Sequence, residues 1–322
     1  MKAIVVSELG GPEKLVYTEV AQPDPGDTGV VVEIAAAGVN FIDVYHRIGL
    51  YPMNLPFTPG LEGAGTVVAV GPSVVGFAPG DRVAWTQGIG SYADMAVKDP
   101  AHLVQIPGNV SLDTAAALML QGITAHYLAT STFPLGEGDT CLIHAGAGGV
   151  GLLLTQVARI LGARVVTTVG SAEKAELSRA AGATAVIEYR DVDFVAEIER
   201  LIGPRSIDVV YDGVGAATFE GGLKVLRPRG TMVTFGNASG PVSEMSPLAL
   251  TQNGSLFLTR PTIGDHIATR EELTSRVSDL FGWVLDGRLD VRVGSEFPLA
   301  DASQAHTALE SRATTGKVLL KP

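Results

Sequence analysis

The chain has 322 residues, 46% of them hydrophobic and 18% charged, the balance of a core-rich globular protein of about two domains. A formal net charge of −11 excludes a general nucleic-acid surface, which needs clustered Lys and Arg to neutralise phosphates. Cys141 is the single cysteine, which excludes an internal disulfide and a zinc site built of thiolates, and no uncharged apolar run is long enough to span a bilayer.

Met1 to Val6 is apolar too briefly for a signal-peptide core, so the expected location is the cytoplasm. Residues 3–6, 15–20 and 30–35 read as strands separated by Gly and Pro clusters. Residues 66–70, 82–85 and 102–106 continue the pattern, with turns at Gly71-Pro72 and Pro79-Gly80-Asp81. A compact, barrel-like β unit is expected. Within it Asp43 and His46 fit a structural role in a tight turn, and Glu62 reads as a structural carboxylate between glycines. From Ser111 the pattern changes: residues 115–120 and 123–129 look helical. Strands at 140–144, 164–169, 185–188, 207–211 and 231–235 then alternate with helices at 172–181, 194–201 and 217–225, and 255–259 would be the last strand. Such alternation predicts an α/β domain with a doubly wound parallel sheet. A helix at 271–285 and strands at 291–293 and 317–320 break the rhythm, so the C-terminal segment is expected to fold back onto the first domain.

The most informative stretch is Cys141 to Gly151. An apolar strand ends at His144 in a glycine turn, and an apolar-periodic helix begins inside that turn (Val150, Leu153, Leu154, Val157, Ile160 and Leu161). Gly146, Gly148 and Gly151 fit the G-x-G-x-x-G spacing of a dinucleotide site: the first glycine for the tight turn, the second for approach of a pyrophosphate, the third for close helix–strand packing. Gly149 and Val150 then place free N–H groups and the positive dipole end at the phosphates. His144 reads as a residue that orients backbone, and Cys141 as a small core residue.

An NAD site places Asp or Glu at the tip of the second strand to hold the ribose 2′-OH. Here that strand ends Thr168-Val169-Gly170-Ser171. No carboxylate stands at the tip, Lys174 follows one turn later, and Tyr189-Arg190 closes the next strand. A Gly-Ser shelf with a cation nearby suits a 2′-phosphate, so the expected cofactor is NADP(H). Lys174 has a second possible role as a solvated helix lysine, and Glu173 beside it would in part supply the missing acid.

Gly38-Val39-Asn40-Phe41-Ile42-Asp43-Val44-Tyr45-His46-Arg47 resembles the signature of quinone oxidoreductases of the medium-chain dehydrogenase/reductase superfamily, in the branch that includes zeta-crystallin. Pro59-Gly60-Leu61-Glu62-Gly63-Ala64-Gly65, Phe235-Gly236-Asn237-Ala238-Ser239-Gly240, Leu258-Thr259-Arg260-Pro261 and Glu310-Ser311-Arg312-Ala313-Thr314-Thr315-Gly316 resemble further segments of the same family. The resemblance runs the length of the chain. It implies a GroES-like β-barrel catalytic domain over 1–122, a nested Rossmann NADP-binding domain over 123–262, a return to the catalytic domain over 263–322, and a cofactor lying in the cleft between domains. It places Asn40 near the nicotinamide riboside. Gly170, Ser171, Lys174, Tyr189 and Arg312 would surround the 2′-phosphate. Thr124, Phe235, Gly236, Asn237 and Leu258 complete the implied cofactor set, and Tyr45 and Tyr51 are implied to line the substrate pocket. It also implies a homodimer, with strand 255–259 pairing with its twin across a two-fold axis.

Zinc-dependent relatives carry a metal-binding His where this chain has Leu61, and no cysteine lies in the first domain. Six scattered histidines do not supply the converging ligands that Zn²⁺ needs, so no metal is expected. Without a Lewis acid, the hydride acceptor must already be electron-poor. A quinone meets that condition, and so does a conjugated enal or enone. Tyr45 and Tyr51 would stack on a flat ring and donate a hydroxyl to its oxygen, or serve as plain wall residues. The expected function is zinc-independent NADPH:quinone oxidoreduction. The alternatives are 2-alkenal or enone reduction, and a non-catalytic, crystallin-like NADPH-binding protein.

Overall fold

The computed structural model describes residues 1–322, which divide into two units. One comprises residues 1–123, 267–287 and 291–322; the other comprises 124–266 and 288–290.

In the first unit, β1 (Lys2–Val5) and β2 (Val16–Glu19) form an antiparallel pair. β3 (Val30–Val39), α1 (Phe41–Arg47), β4 (Glu62–Val70), β5 (Arg82–Trp85), β6 (Met95–Lys98) and β7 (Leu103–Gln105) follow. β3 and β4 are longer than the expected 30–35 and 66–70 because the glycine-rich run 62–65 is itself strand. A side chain at Gly63 would lie 2.6 Å from the Trp85 ring, so the missing Cβ permits the close ladder. The expected tight turn at Asp43 and His46 is instead α1. Its cap is a reciprocal pair, Asn40 taking the Asp43 backbone and Asp43 taking the Asn40 N–H, as in a capping box.

α2 (Leu112–Tyr127) is one helix, not two at 115–120 and 123–129. Gly122 does not break it, since the neighbouring space is filled by Leu118 and Leu280. The second unit continues with β8 (Thr140–Ile143), α3 (Gly149–Ile160), β9 (Arg164–Val169), α4 (Ala172–Ala180), β10 (Ala185–Glu188), α5 (Phe194–Leu201), β11 (Ile207–Asp212), α6 (Phe219–Val225) and β12 (Leu226–Thr234). α7 (Leu248–Gln252), β13 (Phe257–Thr259) and α8 (Ile263–His266) end it. All its strand pairs are parallel, in the order β10-β9-β8-β11-β12-β13. The direction of winding reverses between β8 and β11, the switch point at which open α/β sheets bind ligands beyond the strand ends. Leu142, Val166, Val210, Leu223 and Met232 lie in its core. Its strands read as apolar runs because both faces are covered.

The chain returns to the first unit through α9 (Arg270–Leu285), β14 (Val293–Pro298), α10 (Ala302–Glu310) and β15 (Lys317–Lys321). β15 pairs antiparallel with β3 and parallel with β14, completing a seven-stranded sheet of order β14-β15-β3-β4-β5-β7 with β6 also on β3. The strand expected at 291–293 therefore begins where that piece ends. Ile4, Val32, Val67, Trp85, Leu103 and Val318 belong to this unit's core.

Candidate active site

The glycine turn lies at the switch point of the second unit. His144 N–H donates to Tyr211 O at 3.1 Å as β8 ends. The left-handed residue of the turn is Ala145, at φ 56°, not Gly146. Gly146 is required for packing: a side chain there would meet Thr167 Cβ at 2.5 Å and Ser178 Oγ at 2.9 Å. Its N–H donates to Thr168 O at 3.0 Å, and Gly148 N–H closes the turn on Ala145 O at 2.9 Å. At Gly151 a side chain would run into the Ala145 carbonyl, so the third glycine keeps helix and turn in contact, as expected. α3 begins with Gly148 as N-cap and no side-chain cap. The first N–H groups of a helix have no carbonyl one turn back, so those of α3 are left to an acceptor from outside the helix. The only atom near a Cβ built on Gly148 is Ala145 O, at 3.2 Å. The turn therefore has the form of a dinucleotide cradle.

β9 ends at Val169, and Gly170 and Ser171 lead into α4. Ser171 Oγ accepts from the Lys174 N–H at 3.4 Å. Tyr189 N–H donates to Val169 O at 3.1 Å, and a side chain at Gly170 would meet Tyr189 Oη at 2.9 Å and Arg190 Nε at 3.6 Å. Gly170 and Tyr189 are thus neighbours, with Arg190 beside them; Ser171 and Lys174 stand at the start of α4, and no carboxylate is on the strand tip. Arg312 belongs to the first unit, in a left-handed turn after α10 (φ 59°).

At the end of β12, Phe235 N–H donates to Asp212 O at 2.8 Å and Ala238 N–H to Gly213 O at 3.3 Å. Segment 235–238, with Gly236 and the buried Asn237, thereby rests on the β11 end. Thr124 is buried on α2, and Leu258 stands on the edge strand β13. Asp212 was not anticipated. One of its oxygens accepts from Val214 N–H (2.8 Å), Gly215 N–H (3.0 Å) and Thr218 Oγ1 (2.8 Å), so it organises the loop after β11. The signal was available as an Asp followed by a Gly-rich turn. His144 Nδ1 lies 2.8 Å from Thr168 Oγ1; burial lowers its pKa and the Asp212 charge works against that. Cys141 is fully buried, and burial pushes its thiol up.

The first unit holds a buried polar hub. Asn40 Nδ2 donates to Glu62 Oε1 at 2.7 Å, and Asn40 Oδ1 accepts from Lys317 Nζ at 2.9 Å and Gln121 Nε2 at 3.1 Å. Lys317 and Glu62 form an ion pair in which both side chains are buried, and Leu120 N–H adds a bond to Glu62 Oε2 at 2.7 Å. Glu62 is the expected structural carboxylate, while its partner Lys317 was missed. Burial drives the Lys317 pKa well below its ordinary value. Burial also raises Asp43 to about 6, against the Asn40 N–H, the Tyr92 hydroxyl and the Lys317 charge. Tyr45 and Tyr51 come together with ring centroids 5.3 Å apart and planes at 68°, and Tyr51 N–H donates to Tyr45 O at 3.1 Å. No group of three or more His, Cys, Asp or Glu side chains is placed to hold a metal ion.

Residues 26–131 match the alcohol dehydrogenase GroES-like domain, and residues 149–281 match the zinc-binding dehydrogenase family. The quinone oxidoreductase of Pseudomonas aeruginosa is 43% identical over 100% of this chain and 99% of its own. A 2-haloacrylate reductase of Burkholderia sp is 38% identical over 99% of this chain and 98% of its own. The crystal structure of Escherichia coli quinone oxidoreductase complexed with NADPH aligns at a TM-score of 0.98 and 42% identity, covering 100% of both chains.

Proposed function

The chain belongs to the quinone oxidoreductase family of the medium-chain dehydrogenase/reductase superfamily, and from that premise we propose how its residues carry out NADPH-dependent quinone reduction. The observation that carries the reading is the uncapped N-terminus of α3 on the glycine turn, together with a strand tip that has no carboxylate and leads through Ser171 into α4, where Lys174 stands in the first turn. Bound NADPH supplies the hydride.

The N–H groups of Gly149 and Val150 hold the pyrophosphate. Lys174, with Ser171, Tyr189 and Arg312, meets the adenosine 2′-phosphate by charge-assisted hydrogen bonds. Phe235, Gly236, Asn237, Leu258 and Thr124 bind the rest of the dinucleotide. Asn40 serves the nicotinamide riboside, with the half-buried Gln121 as the partner it exchanges. Tyr45 and Tyr51 hold the flat acceptor, and a phenolic hydroxyl of the pair donates to its oxygen. Residues 1–122 with 263–322 act as the catalytic domain and 123–262 as the nucleotide domain. The reaction proceeds without zinc. Supporting this, Leu61 stands where a zinc-binding relative has His, and the cation nearest Glu62 is the Lys317 ammonium. The protein works in the cytoplasm as a homodimer joined along β13; no helix is long and apolar enough to cross a membrane.

The likeness to a 2-haloacrylate reductase supports a second reading, reduction of an activated alkene at the same site. An acceptor panel separates the two. NADPH oxidation is followed with benzoquinone, phenanthrenequinone, a conjugated aldehyde and a 2-haloacrylate, with and without a chelator. Fast turnover on the quinones, unchanged by the chelator, is expected. Turnover confined to the alkenes would transfer the assignment to the second reading, and loss of activity with the chelator would overturn zinc independence.

A further inference from the structure

A buried hydrogen-bond chain in the first unit lies outside the chemistry just described. It starts at Arg47 in α1, whose guanidinium is 1% exposed. Arg47 Nη1 lies 3.0 Å from His306 Nδ1 in α10 and 2.8 Å from Glu310 Oε1. His306 Nε2 lies 3.1 Å from Tyr92 Oη, and Tyr92 Oη lies 3.0 Å from Asp43 Oδ2. The same Asp43 oxygen accepts the Asn40 N–H at 2.9 Å. His306, Tyr92 and Asp43 are all fully buried.

Only one arrangement of hydrogens satisfies these contacts. A guanidinium has donors and no acceptor, so His306 Nδ1 must accept. Burial and the Arg47 charge hold the His306 pKa at about 3, so the ring is neutral and its one hydrogen sits on Nε2. That hydrogen goes to the Tyr92 oxygen. The Tyr92 hydrogen is then left for Asp43. The chain therefore runs in one direction, from a fixed cation to a carboxylate.

We propose that His306 and Tyr92 are positioning residues for quinone reduction: acting through Asp43, they hold the first turn of α1, and with it Tyr45, in the orientation that presents the acceptor. The proposal rests on the reading that Tyr45 faces the quinone. Asp43 is the third residue of a seven-residue helix whose N-cap is Asn40 and whose next turn carries Tyr45. An anion in a first turn is stabilising, and this one also ties down the N-cap backbone. Its other oxygen, Oδ1, has no hydrogen-bonded partner at close range, and the Gly60 N–H on that carboxyl also favours its charged form. Facing this carboxyl are Tyr92, the Asn40 and Gly60 N–H groups and Lys317 from β15; Glu62 from β4 is linked to it by way of Asn40, and His46 and Arg47 are on its own helix. Tyr92 is the donor that can be removed while the ring stays in place.

Tyr92→Phe raises the Asp43 pKa, because a donor to the charged form is lost. The acid limb of kcat/KM for the quinone is expected to move upward by about one pH unit. The rate at about pH 6 then falls roughly fivefold and recovers by about pH 8, while NADPH affinity is unchanged. A purely structural loss lowers the rate alike at every pH. His306→Leu keeps the Tyr92 hydroxyl but removes the donor that orients it, so it is expected to move the acid limb in the same direction by less than Tyr92→Phe does. His306→Gln, whose amide accepts from Arg47 and donates to Tyr92, restores the wild-type profile. In the wild-type protein, ¹⁵N NMR is expected to find His306 as the Nε2–H tautomer, with no titration between about pH 5 and 8. A folded Tyr92→Phe with a wild-type pH profile, or a His306 that is Nδ1–H or titrates near its ordinary value, overturns the proposal. A wild-type protein that fails to reduce quinones removes the underlying functional reading instead, and the NMR result would still report on the chain.

Discussion

Lysine is almost never fully buried unless paired, so each buried or half-buried lysine here asks what holds it. Lys317 is answered by Glu62 and Asn40, and nothing local in Gly316-Lys317-Val318 announces it, because its partners come from β3 and β4. Lys98 has no carboxylate. Its ammonium donates to Gly88 O (2.8 Å) and Ile89 O (3.1 Å) and lies 5.1 Å from the Trp85 ring centroid. Burial lowers it to about 7 from an ordinary 10.5. The unfolded chain keeps this proton up to the ordinary value, so the folded state binds fewer protons in that window, and this group's contribution to stability rises with pH across it. Against Lys98→Met, wild type should gain about 2 kcal/mol between pH ~7 and ~9, read by urea unfolding at both pH values. The role proposed for Lys174 rests on a local fact of the sequence, a strand tip without a carboxylate. Lys174→Ala should weaken NADPH binding roughly tenfold or more and NADH binding far less, as measured by fluorescence titration. Equal losses would refute its contact with the 2′-phosphate.

Among the elements, those with strong periodicity were read to the residue: β9, β10 and α5 occupy the expected spans. Those set by distant partners were not. α1 depends on its capping box and on a carboxylate held from Tyr92, and β14 takes its register from β15. The glycine turn was legible in its spacing but not in the division of labour within it. Ala145 takes the left-handed backbone and Gly146 the packing, which only the neighbouring Thr167 and Ser178 could determine. The second and third glycines therefore separate in experiment. Gly148→Ala should fold with a near-wild-type melting temperature yet lose most of its NADPH affinity. Gly151→Ala, driven against the Ala145 carbonyl, should cost about 1–3 kcal/mol of stability. Thermal melts with and without NADPH distinguish them.

At the scale of the whole molecule, alternation of strand and helix was enough to predict a doubly wound parallel sheet; its order, β10-β9-β8-β11-β12-β13, is supplied by the structure. The return of the C-terminal segment was legible because its elements break that alternation. What they pair with, β3 through β15, needed the fold. β13 ends the parallel sheet as an edge with Phe257 62% exposed, and exposed apolar edge strands invite pairing with another chain. Small-angle scattering should therefore report a two-fold dimer, and Phe257→Lys should shift it to monomer; a wild-type monomer would contradict the assignment of β13. The central claim is that NADPH held on the glycine turn passes its hydride to a quinone. Its most direct test is to load the protein with NADPH, remove the excess, add benzoquinone and follow the loss of the reduced nicotinamide. The expected result is its rapid, quinone-dependent disappearance with hydroquinone formed; NADPH that stays bound and reduced in the presence of quinone would contradict it.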